Sequence, residues 1–133
     1  MVEQLVYTEK VTGSSPVSPT NMDYSGNDFY CDVALKDISV LKKECESDNV
    51  LAFHHTRPYC PVHIVIIPKK HIPSFTNREK EDDFIVAEIL DVVRTIAKKV
   101  EEEHGAARIL TNLGKYQDSK HLHFHVSSGD PLK

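Results

Sequence analysis

The sequence predicts an α+β domain in which about five antiparallel strands form a sheet with one main helix packed on it. Three observations carry this reading. Between Arg78 and His104 apolar residues recur every three or four positions, Val62 to Ile67 is a β-branched run closed by Pro68, and His121 to Val126 alternates imidazole with apolar side chains. A chain of 133 residues and 15.1 kDa has room for one domain. Apolar residues make up 40% and charged residues 27%, enough to close a core and too mixed in sign for a disordered tail. The net charge of −4, with Lys and Arg scattered, argues against duplex nucleic acid and favours a small-molecule or protein partner.

Residues 1 to 26 contain the Ser/Pro/Thr tract Thr12 to Asn21, which has no helical or strand period. They are expected to be a disordered or non-native lead-in, with the domain spanning 27–133. Phe29 to Ser39 gives mixed signals and is expected to be helix or loop. Val40 to Glu46 and Val50 to His54 suit strands joined by the polar turn Ser47-Asp48-Asn49. Pro58 and Pro61 break the chain before the strand Val62 to Ile67.

In the segment Arg78 to His104, Ile85, Ile89, Val92, Val93, Ile96 and Val100 form one stripe, and Glu88, Asp91, Arg94, Lys98 and Glu101 fill the opposite face. Thr76 and Glu79 have the spacing of a capping box, and Gly105 stands where a left-handed C-terminal cap belongs. Beyond it, Ala107 to Thr111 and His121 to Ser127 read as strands joined by the polar loop Asn112 to Asp118.

Cys31, Cys45 and Cys60 are odd in number and widely spaced, which is no disulfide framework and points to a reducing, cytoplasmic setting. No apolar run exceeds four residues, as at Ile64 to Ile67, against the roughly 20 that a membrane span needs. The N-terminus lacks the basic start and apolar stretch of a secretory signal.

Eight histidines are many for this length, and three of them fall between His121 and His125. The strand period puts the three imidazoles on one face and Leu122, Phe124 and Val126 on the other, close enough for two imidazoles to reach one phosphate or one metal ion. A solvated strand face and a metal site completed by His63 are the competing readings. No Asp or Glu lies within the cluster, and Cys60 is the thiol nearest to that candidate ligand in sequence.

The run His121-Leu122-His123-Phe124-His125-Val126 resembles the signature of the histidine triad (HIT) family of nucleotide hydrolases and transferases. Phe53-x-x-x-x-Pro58-x-x-Pro61-x-His63, followed by Ile66-Ile67-Pro68-Lys69-Lys70-His71-Ile72, is similar to a second block of its Hint-like branch. The blocks stand in the family's order, across residues 45 to 126. The resemblance implies a HIT-like fold, usually paired into a homodimer with a continuous sheet. It also implies that His123 attacks the α-phosphate of a nucleotide, forming a covalent nucleotidyl-histidine and cleaving a phosphoramidate, acyl or anhydride bond. A backbone carbonyl near His121 would hold the other ring nitrogen of His123, and His125 and His63 would surround the phosphate. Asn112 and Gln117 match residues near the ribose and phosphate, and Phe53 and His55 match the nucleoside side of the site. No cofactor and no metal are expected.

The chain departs from the family's pattern in several places. His55 replaces an Asp whose two oxygens take the ribose hydroxyls, which an imidazole cannot do. Asp118 stands where a Ser or Thr is usual near the leaving group, and Ser127 replaces an apolar residue. Because the chain stops at Lys133, the segment that shapes leaving-group selectivity in that branch is expected to be missing. The structural zinc site that some members build on C-x-x-C is also expected to be absent, since Cys31 is preceded by Asp28. These features leave two alternatives to the enzyme: a nucleotide-binding module with little turnover, and a metal-dependent hydrolase that uses the histidine cluster.

Overall fold

In the computed structural model, which describes residues 29–32 and 34–132, a five-stranded antiparallel sheet separates two cores. The predicted lead-in over residues 1 to 26 lies outside the described residues. A short helix α1 (Phe29–Asp32) and two 3-10 turns precede β1 (Lys43–Glu46) and β2 (Val50–His54). Then come β3 (Val62–Pro68), α2 (Asp83–His104), β4 (Arg108–Leu110) and β5 (Phe124–Ser128). The order across the sheet is β1-β2-β3-β5-β4, so β5 enters between β3 and the edge strand β4.

Alternation along the strands assigns the two faces. Val50, Ala52, Ile64, Ile66, Phe124 and Val126 turn toward the α2 stripe of Ile85, Ile89, Val93, Ile96 and Val100. Leu51, Phe53, Val65 and Ile67 turn the other way and are covered by Phe29, Tyr30 and Ala34. Covered on both sides, β3 can be an unbroken β-branched run. The segment with mixed sequence signals is therefore the lid of a second core. No helix among the described residues is long and apolar enough to cross a membrane.

Several predicted boundaries move. The strand expected from Val40 starts at Lys43, because Ile38–Val40 is a 3-10 turn closed by the Leu41 N–H on the Ile38 carbonyl, 3.0 Å. The helix expected from Arg78 starts at Asp83, and the capping box does not form. Glu79 has extended backbone, and Thr76 is exposed in a turn in which the Asn77 N–H donates to Ser74 Oγ at 3.1 Å. The N-cap residue Asp82 makes no side-chain cap, and its carboxylate takes Lys70 Nζ at 2.6 Å. At the other end Gly105 caps as expected, with φ +85° and its N–H on the Glu101 carbonyl at 2.8 Å.

The last two strands are shorter or later than expected: Arg108–Leu110 for Ala107 to Thr111, and Phe124–Ser128 for His121 to Ser127. Before Phe124 the backbone is bonded outside the ladder. The Leu122 N–H donates to the Ile72 carbonyl at 2.6 Å, and Thr111 Oγ1 donates to the His123 carbonyl at 2.7 Å.

Gly129 ends β5 at φ +95°, and a Cβ there would lie 2.9 Å from Cγ and Cδ of Pro61. Gly129→Ala combines a disfavoured backbone with a clash, so it is expected to cost about 2 kcal/mol or more. Gly105→Ala, whose Cβ would meet nothing within 4 Å, should cost about 1 kcal/mol from backbone strain alone. Urea denaturation midpoints of the two variants check the ranking.

Candidate active site: two groups of histidines

His63, His123 and His125 sit on the face away from α2, and His55 joins them just past the end of β2. The His55 N–H donates to the His63 carbonyl at 2.8 Å, so the two residues face each other across β2 and β3 and their rings stack at 4.4 Å. On the next strand His125 pairs with Val65, one diagonal step from His63. The result is four imidazoles in contact, all below 10% exposed: His55 9%, His63 7%, His123 5% and His125 6%.

Hydrogen bonds fix which nitrogen of each ring carries the proton. The Tyr59 N–H donates to His63 Nδ1 at 2.9 Å, so the His63 proton is on Nε2, which donates to His125 Nδ1 at 2.8 Å. His125 must then carry its proton on Nε2, a buried donor with no acceptor among the described residues. In His55, Nδ1 accepts the Arg57 N–H at 2.9 Å. In His123 the order is reversed. Its Nδ1–H donates to the His121 carbonyl at 2.7 Å, which leaves the lone pair on Nε2.

Burial sets the charge of this group. It holds His63 down to about 4, with His123 adding a smaller push in the same direction. It lowers His55 well below the ordinary value, helped by His63, His123 and Arg57, and lowers His125 likewise, helped by His123, His63 and His55. At neutral pH all three are uncharged hydrogen-bond donors.

The triad does not share one site. The His121 ring turns away from the other two: its Nε2–H donates to the Pro68 carbonyl at 2.8 Å, and its Nδ1 accepts from the Cys31 thiol at 3.2 Å. Cys31 Sγ also lies 3.8 Å from His71 Nδ1, and the three ligand atoms are within 4.8 Å of one another. One thiol and two imidazole nitrogens are a donor set that suits zinc, and the Pro68 carbonyl orients His121 for it. Cys31, alone in the sequence, therefore has company in space.

The remaining candidates lie around these two groups. Phe53 is buried beside Tyr30, with ring centres 6.2 Å apart. Asn112 is half-buried just after β4. Gln117 is buried, and its Nε2 donates to the Pro73 carbonyl at 2.7 Å. Asp118 is exposed. Sequence reasoning missed Tyr30, whose ring lies 4.9 Å from that of His123, and Thr111, which holds the His123 carbonyl. It also gave no role to His71, although His71 stands inside the Pro68-Lys69-Lys70-His71 block.

The profile of the HIT domain matches residues 42–132 of the chain. The chain belongs to the HIT family. An uncharacterized HIT-like protein of Azospirillum brasilense is 32% identical over 114 residues, 82% of this chain and 91% of that one. Two solved structures share the fold at a TM-score of 0.66: a histidine triad protein from Clostridium difficile and a HIT family hydrolase from Legionella pneumophila. The first is 33% identical over 83% of this chain and 96% of its own, the second 29% identical over 80% and 96%. The two blocks on which the family resemblance rested, Phe53 to Ile72 and His121 to Val126, fall inside the matched HIT domain.

The buried imidazoles make folding pH-dependent. Histidines of the unfolded chain titrate near 6.5, and these bind protons only at lower pH when folded, so between the two values the unfolded state holds more protons. Stability is accordingly expected to be full above pH 6.5 and to fall as the pH drops toward about 4, with a His63 share of about 3 kcal/mol. Denaturation midpoints measured at pH 7, 6 and 5 should fall less steeply in His63→Gln than in the unsubstituted protein.

Proposed function

We propose that the protein is a nucleotide hydrolase or transferase that cleaves a phosphoramidate, acyl or anhydride bond at an α-phosphate through a nucleotidyl group carried on His123. The observation that supports it most is the bond from His123 Nδ1–H to the His121 carbonyl, which fixes the ring as a nucleophile at Nε2. That lone pair attacks phosphorus, and the bond to the leaving group breaks with its electron pair going to the leaving group. Water then attacks the same phosphorus, His123 Nε2 is released, and the net reaction adds the elements of water across the cleaved bond.

His125 Nε2–H is the donor available to a phosphate oxygen as charge develops on it. His63 acts behind it, since its Nε2–H keeps the proton of His125 on the outer nitrogen. Neutral donors suit this task because they need no deprotonated partner and stay in one tautomer across the neutral range. His55 has given its Nδ1 to a backbone amide, so it offers a proton and not the two acceptor oxygens that ribose hydroxyls would use. A nucleotide-binding module with little turnover is the second reading, and His55 is the residue that favours it.

Cys31, His71 and His121 would hold a zinc-like ion, which would supply a structural cross-link behind the triad. The carbonyl that orients His123 belongs to one of these three residues. The proposed chemistry uses the other group of histidines and draws on none of the three as a Lewis acid.

His123→Ala is expected to lower turnover of an adenosine phosphoramidate with a fluorescent amine by several orders of magnitude while leaving the fold intact, as checked by circular dichroism, since Leu122 and Phe124 do the helix-side packing. Near-normal turnover would remove His123 as the nucleophile, and normal nucleotide binding with no turnover in the unsubstituted protein would favour the binding module.

A homodimer is proposed on the edge strand. All three residues of β4 are exposed, including Ile109 and Leu110, and β4 is an apolar edge of the sheet among the described residues, which suits pairing with a second copy. Light scattering should give twice 15.1 kDa at micromolar concentration, and a 15.1 kDa species alone would reject the dimer.

A further inference from the structure

We infer that residues 129–132 are a positioning strap for His63: with Arg108 they hold the loop whose Tyr59 N–H keeps the proton of His63 on Nε2. The effect on rate rests on the donor role proposed above for His125, whereas the placement of the His63 proton is independent of it.

The loop between β2 and β3 contains Pro58 and Pro61, which have no N–H to pair, and Pro58, Tyr59 and Pro61 are exposed. Three of its consecutive residues are held from outside the loop. The Tyr59 carbonyl accepts the Leu132 N–H at 2.8 Å, and Arg108 Nη1–H reaches Cys60 Sγ at 3.7 Å. Gly129 approaches the Pro61 ring so closely that a Cβ on it would lie 2.9 Å from Cγ and Cδ. Arg108 also ties down the root of the strap, with Nη2 donating to the Gly129 carbonyl at 2.6 Å and Nη1 to Ser127 Oγ at 3.4 Å. The loop is thus fastened to β4 and to the segment that leaves β5. Tyr59, the first of the three residues, is the one that donates to His63 Nδ1 at 2.9 Å.

The proton of His63 decides the proton of His125. Which nitrogen of a neutral imidazole is protonated is set by the bond that its other nitrogen makes. With the Tyr59 N–H on Nδ1, His63 donates from Nε2 to His125 Nδ1 at 2.8 Å, and the His125 proton stands on Nε2. Once the loop drifts and that bond is lost, His63 is free to carry its proton on Nδ1. Its Nε2 then accepts from His125 Nδ1–H, and the outer nitrogen of His125 becomes a lone pair. A donor aimed at phosphate turns into an acceptor that repels the phosphate oxygens. Complete loss of one such donor from a transition state costs about 100- to 1,000-fold in rate.

The experiment compares Leu132→Pro, which removes the N–H of the strap, and Arg108→Met, which frees its root, with Leu132→Ala, which keeps the N–H. Nuclear magnetic resonance of the ring nitrogens of His63 and His125, in the ligand-free protein at neutral pH, reports where each proton sits. The unsubstituted protein and Leu132→Ala should show Nε2 protonated in both residues. In Leu132→Pro and Arg108→Met, protonation of Nδ1 should rise in both residues together, and single turnover of an adenosine phosphoramidate should slow about 10-fold or more with substrate affinity within about threefold. Leu132 is 57% exposed, so Leu132→Pro decides the matter if Arg108→Met fails to fold. Unchanged ring nitrogens in Leu132→Pro overturn the strap whatever the rate, and so does an equal change in Leu132→Ala. If the protons move and the rate does not, the strap stands and the donor role of His125 falls.

Discussion

The register of β3 against β5 is the constraint on which the rest of the molecule depends. Ile64 faces Val126, Val65 faces His125 and Ile66 faces Phe124. Side chains alternate with a period of two, so a slip of one residue would drive His125 into the stripe of α2 and lift Phe124 and Val126 out of it. The hydrophobic core is thus the reference that places the chemistry. Ile89 and Val93 belong to the helix-side core, yet the packing they share with Ile66 and Phe124 is what keeps His63 within 2.8 Å of His125 on the opposite face.

Burial and main-chain amides together determine what the imidazoles can do. Removing the rings of His55, His63 and His125 from water makes their protonation unfavourable, and two backbone N–H groups, those of Arg57 and Tyr59, then choose the tautomers of His55 and His63. His125 inherits its tautomer from His63, and His123 takes the opposite one from a carbonyl. Donors and lone pair are therefore placed by the backbone before any ligand arrives, which avoids reorganisation during reaction.

Much of this was legible in the sequence, for reasons that differ by element. The α2 stripe and the β-branched run at Ile64 follow directly from burial on one face and on two, and Gly105 marks its own left-handed turn. The alternation at His121 to Val126 correctly set the two faces of that stretch, with Leu122, Phe124 and Val126 in the helix-side core. It could not show that the His121 ring swings toward Cys31 and His71, because those partners are distant in sequence and their approach depends on the path of the chain after β3. The helix start was misread because Glu79 and Thr76 have the right spacing, whereas Asp82 is committed to Lys70. Phe29 to Ser39 carries no period because its residues cover a sheet face with a four-residue helix and 3-10 turns.

Among the described residues, the two edges of the sheet are built from opposite materials. On β1, Lys43 pairs with Glu46, Glu44 with Lys99, and Glu46 also with Lys69, so that border carries compensated charge. Another strand could add there only by stripping water from those ions, whereas β4 offers oily side chains at its rim. Pairing of two copies through β4 would leave the charged β1 borders at both ends of the joined sheet, where a further strand would have to displace ion pairs.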